Sequence, residues 1–257
     1  VKLFGRLFGG SGGRKQRRRL FVHAGTHKTG TTSIQKVLAD NRDWLAERGL
    51  VYARGGGRYG NKHAHHGFAQ ALIGDDAGKL RAAREFVRAM AREGKPSDTL
   101  LISAEPIYRH IDRGRDRDFY GYQAPDYWVR RRAYLHRLAE MLRDFDVTII
   151  LFLRDKDAFA QSLYREDTTQ GDWAGDFPDF LKAFAPWFEY ERQIGLFEEA
   201  FGQVVVRDYD ASLARGVIRT FFETIGFPVP PASDTVWVNR SVTDPPSSVE
   251  AGGPDHS

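Results

Sequence analysis

Short apolar runs alternate with longer amphipathic segments along most of the chain. The apolar runs lie at residues 20–22, 50–52, 99–103, 147–153 and 204–206. Continuous runs of this length are typical of strands that a parallel sheet buries on both faces. The run at residues 147–153 is the longest, and we expect it to form a central strand.

In the segments between these runs, apolar residues recur three and four positions apart, which predicts helices. The predicted helices cover residues 31–48, 80–90, 134–145, 158–165 and 213–225. This alternation predicts a three-layer α/β/α fold around a doubly wound, mainly parallel sheet. Residues 171–190 are rich in aromatic side chains. We expect these to pack helices onto the sheet, and a wall of an acceptor pocket is the alternative.

Composition divides the chain into three segments. Residues 1–19 are basic and glycine-rich, and we expect a flexible tail. Residues 20–242 carry all the predicted strands and helices, so we expect a single α/β domain there. Residues 243–257 are rich in Pro, Ser and Gly, and we expect them to be disordered.

The overall composition, 41% hydrophobic and 28% charged, is that of an ordinary soluble globular protein. There are no cysteines, which excludes disulfides, thiolate metal sites and a cysteine nucleophile. No apolar run is long enough to span a bilayer, and no signal peptide is evident. We therefore expect a cytoplasmic protein.

The net charge of +4 is unevenly distributed. Nine Lys and Arg residues and no acidic residue precede Asp40, which leaves 29 basic and 34 acidic residues for the rest. The basic tail at residues 1–19 could contact the anionic inner face of a membrane, and a solvated arm is the alternative. Nucleic-acid binding as the main function is not expected, because no basic stripe with interleaved aromatics continues into the domain.

A glycine-containing loop at residues 25–30 separates the first predicted strand from the first predicted helix. Gly25 and Gly30 permit close approach of the backbone to an anion, and the helix that begins at Thr31 offers free amides and a positive dipole end. Lys28 adds a positive charge. The predicted phosphate-binding residues are Gly25, Thr26, His27, Lys28, Thr29, Gly30, Thr31 and Thr32.

This loop is not a Walker A sequence, because Lys28 precedes Gly30 instead of following it. Its Lys-Thr-Gly-Thr-Thr order resembles the 5′-phosphosulfate loop of the sulfotransferases that use 3′-phosphoadenosine 5′-phosphosulfate (PAPS). A second element follows the strand at residues 147–153. Arg154, with Ser162 eight residues later, could bind one phosphate together. That spacing resembles the family's 3′-phosphate motif.

The resemblance implies a P-loop NTPase-like fold and transfer of a sulfuryl group from PAPS to an acceptor hydroxyl or amine. It also implies 3′,5′-ADP as the product and no required metal. The acceptor would be a carbohydrate or a lipid-linked glycan, and Lys28 would be catalytic. The family's usual Arg-Lys-Gly segment near the C-terminus is missing, and Arg240 is the candidate for that third donor contact.

Glu105 follows the predicted strand at residues 99–103 and opens a Glu-Pro-x-Tyr run. The run is similar to the catalytic-glutamate segment of glycosaminoglycan sulfotransferases, so we expect Glu105 to be the general base. A histidine is the alternative base, namely His27, His63, His65 or His66. The last three could form a metal site, but we expect a polar junction between loop and helix, because their spacing matches no zinc pattern.

Two other functions remain open at this stage. One is a P-loop kinase or NTPase using ATP and Mg²⁺, with Glu105 or Asp155 as a metal partner. The other is a non-catalytic module that keeps the nucleotide site without transferring a group.

Overall fold

The computed structural model describes residues 17–55, 59, 63–113 and 125–231 of the 257-residue chain. Five parallel strands form one sheet in the order β2-β3-β1-β4-β5. Their bounds are Arg18–His23 (β1), Leu50–Tyr52 (β2), Thr99–Ser103 (β3), Phe145–Leu153 (β4) and Val204–Asp208 (β5). The strand predictions are confirmed. β1 begins at Arg18, two residues before the predicted start of the domain.

Eleven helices are described, and together they account for every predicted helix. They are Thr31–Asp40 (α1), Arg42–Ala46 (α2), His66–Ala71 (α3), Ala77–Met90 (α4), Tyr127–Met141 (α5), Lys156–Gln170 (α6), Phe177–Ala183 (α7), Ala185–Phe188 (α8), Tyr190–Phe201 (α9), Tyr209–Leu213 (α10) and Val217–Ile225 (α11). A 3₁₀ turn covers Glu105–Tyr108. No helix in these ranges has the length and apolar character needed to cross a membrane.

Three predicted helices are wrong in extent. The helix predicted over residues 134–145 begins at Tyr127 and ends at Met141, and Phe145 begins β4. The other two are each interrupted by a residue outside helical geometry. The helix predicted over residues 31–48 ends at Asp40, where Asn41 turns the chain and its side chain donates to the Val37 carbonyl at 2.8 Å. The helix predicted over residues 213–225 begins only at Val217. Gly216 precedes it with φ of 86°, a conformation that favours glycine.

Successive strand residues point to opposite faces of the sheet, which explains the three layers. On one face, Val22, Ile102 and Ile149 pack with side chains from helices α3 to α9. On the other, Phe21 and Ile150 pack with side chains of α1, α2 and α11. Both faces are therefore covered, and the three-layer α/β/α prediction is confirmed.

The aromatic segment belongs to the first of these faces. Phe180, Phe184 and Trp187 are buried in the core cluster there, with neighbouring rings 4.3–4.7 Å apart between centroids. The prediction that this segment packs helices onto the sheet is confirmed.

The strand order fixes where a ligand can bind. The chain leaves β1 toward β2 on one side, whereas β4 lies on the other side of β1. Loops that diverge in this way open a crevice at the carboxyl ends of the strands. Three segments reach this edge: the loop after β1, the 3₁₀ turn after β3 and Arg154 after β4.

Candidate active site

The loop after β1 is tied to the end of β4 by hydrogen bonds. The amide and the hydroxyl of Thr26 both donate to the Phe152 carbonyl at 3.2 Å. The Thr29 hydroxyl donates back to the Thr26 carbonyl at 2.6 Å, which closes the loop on itself. These hydrogen bonds within the protein therefore hold the loop in shape.

Two glycines and one lysine carry the unusual backbone of this loop. A Cβ at Gly25 would lie 3.2 Å from His23 Nε2, and Gly30 has φ of 68°. Lys28 has φ of 63° and is the one non-glycine with positive φ in the described ranges. Such a conformation costs a residue with a side chain roughly 1–2 kcal/mol. The tight loop therefore imposes strain at Lys28, the residue predicted to act on the donor.

The N-terminus of α1 is left open toward the crevice. Its cap residue, Gly30, provides no side-chain hydrogen bond, whereas Asp155 and Asp208 cap α6 and α10 with their carboxylates. The first amides of a helix have no partner within the helix. His27 Nε2 is also buried without a hydrogen-bond partner among the described residues. The loop therefore presents polar donors toward a ligand.

Arg154 is positioned by its neighbours on other elements. Its carbonyl accepts from the Tyr190 hydroxyl at 2.8 Å, and Asp210 accepts from the Asp155 amide at 2.8 Å. Arg154 Nε lies 3.8 Å from Asp210 Oδ1 and is buried without a hydrogen bond in the part of the chain described. The main chain is fixed, and the guanidinium keeps donors for an additional acceptor.

A single tyrosine links the two predicted anion sites. The Arg154 guanidinium carbon lies 5.9 Å from the centroid of the Tyr209 ring. A Cβ built on Gly30 would lie 3.6 Å from Cε2 of the same ring. Arg154 and the glycine loop therefore face a common region at the edge of the sheet. Ser162 lies on the second turn of α6, and Arg240 lies outside the described residues.

Lys28 is ion-paired in this structure, which the sequence did not predict. Its Nζ lies 3.0 Å from Glu166 Oε1 on α6, and both side chains are partly exposed. A partly exposed pair of this kind contributes little stability. A bound anion can therefore replace Glu166 as the partner of the Lys28 ammonium at a small cost in free energy.

Glu105 is held in a chain of buried hydrogen bonds. Its Oε2 accepts from Gln35 Nε2 at 2.9 Å and from His66 Nε2 at 2.7 Å. Gln35 Nε2 also donates to Ser103 Oγ at 3.1 Å, and Ser103 Oγ is 2.9 Å from His23 Nδ1. The carboxylate thus lies at the end of a polar chain that passes from β1 through β3 and α1 to the 3₁₀ turn.

Burial sets the charges of the groups in and beside this chain. It raises the pKa of Glu105, but the hydrogen bond and charge of His66 outweigh it and bring the pKa to about 2. Burial lowers the pKa of His23 to about 4. Burial and then the charge of Arg109 lower the pKa of His27 to about 3. Glu105 is therefore ionised at neutral pH, while His23 and His27 are neutral.

The three clustered histidines have separate positions. His65 is fully buried: its Nδ1 accepts from the Ser103 amide at 3.0 Å and its Nε2 lies 2.8 Å from the Ala53 carbonyl. All three lie at the predicted junction between a loop and a helix, with His65 directly before α3 and His66 at its first position. His63 is exposed and His66 is half-buried, whereas His65 is buried. No group of metal-ligating side chains suited to a metal ion occurs in the described ranges.

Sequence reasoning missed several residues of this site. Gln35 was predicted only as part of a helix and Ser103 only as a strand residue, and His23, directly after the predicted first strand, was given no role. A signal was available, because both strands end in a polar residue after an apolar run. Arg109, whose guanidinium carbon lies 5.1 Å from the Trp187 ring centroid, was not predicted to take part in the site.

No protein-family model matches the chain, and no curated protein sequence matches it. Among solved structures, the chain is similar to a sulfotransferase from Alicyclobacillus acidocaldarius. The identity is 14%, the alignment covers 88% of this chain and 87% of that chain, and the TM-score is 0.48. The α/β fold itself is established by the parallel five-stranded sheet and its two helical layers.

Proposed function

We propose that the protein is a PAPS-dependent sulfotransferase that transfers a sulfuryl group to an acceptor hydroxyl or amine. The supporting observation is that the loop after β1, at Gly30, and the Arg154 guanidinium both lie near the Tyr209 ring. Each also has a buried nitrogen without a described hydrogen-bond partner, His27 Nε2 in the loop and Arg154 Nε. A donor with a phosphosulfate at one end and a 3′-phosphate at the other requires two such groups.

Each end of the donor has its own residues in this proposal. The phosphosulfate binds the amides at the start of α1, together with Lys28 and the loop residues from Gly25 to Thr32. The 3′-phosphate binds Arg154 and Ser162, since a guanidinium offers a bidentate fork to phosphate. Arg240 provides the third contact. The product that leaves this site is 3′,5′-ADP.

The transfer itself depends on positioning and on charge. As the bond from sulfur to the 5′-phosphate oxygen breaks, negative charge collects on that oxygen. In this proposal, Lys28 and the amides of Gly30 to Thr32 stabilise that charge. The acceptor loses its proton to the Glu105–His66 pair, which reaches the same edge of the sheet. We propose a carbohydrate or lipid-linked glycan as the acceptor, by the resemblance of the Glu105 segment.

The residues at the end of β4 do not favour a required magnesium ion. Arg154 stands directly after the strand, where its positive charge repels a cation. The Asp155 carboxylate caps α6 by accepting from the Ala158 amide at 2.9 Å. The rival assignment of Asp155 as a metal partner in a kinase or NTPase therefore has no support from its position.

Calorimetry with 3′,5′-ADP, 5′-AMP and ATP–Mg²⁺ tests the donor. We expect 3′,5′-ADP to bind most tightly, because it alone carries the 3′-phosphate. Tighter binding of ATP–Mg²⁺ would favour the kinase or NTPase. Incubation with ³⁵S-labelled PAPS and a panel of sugars, glycolipids and phenols then tests transfer. Binding of 3′,5′-ADP without label on any acceptor would favour the non-catalytic module.

We also propose that the protein acts in the cytoplasm and that basic residues 1–19 contact the inner face of the membrane. Most of this segment lies outside the described residues. Cosedimentation with phosphatidylglycerol vesicles, compared with phosphatidylcholine vesicles, tests the contact. Removal of residues 1–16 should abolish the difference between the two lipids.

A further inference from the structure

We propose that His66 is the base that takes the acceptor's proton and that Glu105 orients its imidazole. The proposal rests on the sulfotransferase function above and assigns the base within that site. It differs from the sequence-based expectation, in which Glu105 was the base. It also makes Gln35 a positioning residue that acts through Glu105.

The hydrogen bond between the two side chains defines which atom faces the acceptor. His66 Nε2 donates to Glu105 Oε2 at 2.7 Å. A neutral imidazole that donates through Nε2 has its lone pair on Nδ1. Nδ1 forms no hydrogen bond with any residue in the described ranges, and it is therefore the atom that can accept a proton.

The two side chains also differ in their exposure to solvent, and this difference again favours His66 as the base. The His66 side chain is 41% exposed, whereas that of Glu105 is 11% exposed. A group that receives a proton from a bound acceptor must reach the crevice and then release the proton to solvent. His66, at the first position of α3, satisfies both conditions. Glu105 lies behind it and against Gln35.

The electrostatics of Glu105 also make it a poor base. Its Oε2 already accepts two hydrogen bonds, from Gln35 and His66. The pKa of Glu105 is held at about 2 despite burial, by the hydrogen bond and charge of His66. General bases act best when their pKa lies near the working pH.

The groups that surround the pair support this division of roles. His27, Lys28 and Arg109 contribute positive or polar groups from the donor loop and from the segment after β3. His23 and Tyr52 interact with Glu105 from the strands, and His65 interacts with His66 from the same junction. Burial and Arg109 lower the pKa of His27 to about 3, so His27 is a weaker base candidate.

The junction before α3 explains how His66 is placed. The His65 amide donates to the Ser103 carbonyl at 2.9 Å, and its ring bridges Ser103 and Ala53. His65 is thereby locked between the ends of β2 and β3. His66, the next residue in the chain, is therefore fixed beside Glu105, which lies two residues after Ser103.

The step balances without another reactant. The acceptor oxygen forms a bond to sulfur while its O–H bond breaks and the proton moves to His66 Nδ1. The bond between sulfur and the 5′-phosphate oxygen breaks, and its electron pair stays on that oxygen beside Lys28. Glu105 stays ionised and stabilises the imidazolium. The proton then leaves from the exposed ring to water.

The substitution His66→Gln tests the assignment, because glutamine can still donate to Glu105 but has no basic nitrogen. With ³⁵S-labelled PAPS and the best acceptor of the panel, we expect kcat to fall by about 10²–10⁴-fold, the range for loss of a general base. The dissociation constant for 3′,5′-ADP should stay unchanged, because His66 is not part of the donor site. Free imidazole should restore part of the activity of a His66→Gly variant.

His136→Gln is the matched control, because His136 Nε2 lies 3.2 Å from Glu199 Oε1 in an exposed pair between α5 and α9. We expect its activity to equal that of the unsubstituted protein. Nitrogen-15 NMR of labelled histidines adds a readout that does not depend on turnover. It should show His66 protonated at Nε2, the assignment being made with the His66→Gln spectrum.

Two results would overturn the role of His66. One is a His66→Gln protein with an unchanged kcat. The other is an NMR spectrum in which neutral His66 carries its proton on Nδ1. Binding of 3′,5′-ADP to both proteins separates this failure from failure of the proposed function. Equal binding with equal turnover refutes the base alone, whereas absence of binding in the unsubstituted protein refutes both.

Discussion

The loop after β1 and the hydrogen-bonded chain around Glu105 lie at the same edge of the sheet but use their polar groups differently. In the loop region, His27 Nε2 and Arg154 Nε are buried without a described hydrogen-bond partner. Around Glu105, the carboxylate, Gln35 and Ser103 are bonded to one another. The first region lacks acceptors that a ligand could bring. In the second region, among the described residues, only His23 Nε2 at the far end of the chain from Glu105 is buried without a partner.

This difference indicates a division of labour. A site with unused donors gains its partners when an anionic ligand binds, so its substitution should weaken binding. A network whose members satisfy one another fixes the geometry of a reacting group. Its substitution should reduce turnover and leave donor binding intact. Four substitutions or measurements test this division.

The largest effect is expected for Glu105→Gln. Loss of the charge that orients and stabilises the His66 imidazolium should lower kcat by about 10³-fold, with an unchanged dissociation constant for 3′,5′-ADP. Steady-state kinetics and calorimetry measure the two quantities. Glu199→Gln, in the exposed pair with His136, is the control. A weakened 3′,5′-ADP affinity in Glu105→Gln would contradict the division.

Lys28→Ala should lower kcat/KM by about 10²-fold, because one positive charge on the leaving oxygen is lost. The stability of the Lys28→Ala protein should not fall, because Lys28 has a strained φ of 63° and its ion pair with Glu166 is partly exposed. Lys28→Gly should be more stable by about 1 kcal/mol, as measured by urea unfolding. Lys36→Ala, on the exposed side of α1, serves as the control, and equal losses in both proteins would refute the role of Lys28.

Arg154→Ala should weaken binding of 3′,5′-ADP by about 30-fold, equivalent to about 2 kcal/mol for a charge-assisted hydrogen bond. Binding of 5′-AMP, which lacks the 3′-phosphate, should change little. Calorimetry with both nucleotides gives the ratio. Arg215→Ala is the matched control, because Arg215 is exposed and pairs with Glu223. An equal loss of affinity for the two nucleotides would show that the Arg154 guanidinium does not bind the 3′-phosphate.

The smallest expected effect is a loss of folding stability as the pH falls from 7 to 5.5. The pKa of buried His23 is about 4, below the ordinary value of about 6.5 in an unfolded chain. The unfolded state therefore binds more protons, and stability is complete above about pH 6.5 and falls toward pH 4. His23 should contribute a loss of about 1 kcal/mol across this window.

Urea unfolding at several pH values measures this slope, which should be smaller in His23→Asn. Glu105 does not contribute to the pH dependence of the free energy of unfolding in this window. Its pKa of about 2 and the ordinary value for glutamate both lie below pH 5.5. His136→Gln should keep the full slope, since its ring is exposed. An unchanged slope in His23→Asn would show that the ring is not buried neutral.

Much of the candidate site was predictable because its residues are local in sequence. The loop at residues 25–30 lies between its strand and its helix, so spacing alone was enough to predict an anion site there. Arg154 and Glu105 directly follow strands, and the ends of parallel strands meet at one edge. The interruptions at Asn41 and Gly216 were missed, because apolar periodicity continues across both residues.

By itself, the sequence determined the strands, their parallel arrangement and the loop that presents Lys28, since these follow from local periodicity and glycine geometry. Only the tertiary structure decided which side chains share the Glu105 carboxylate. Gln35 is 70 residues from Glu105 in the chain and His66 is 39 residues from it. Contacts at such separations depend on strand order and helix packing, which set the distances that hydrogen bonds and proton transfer require.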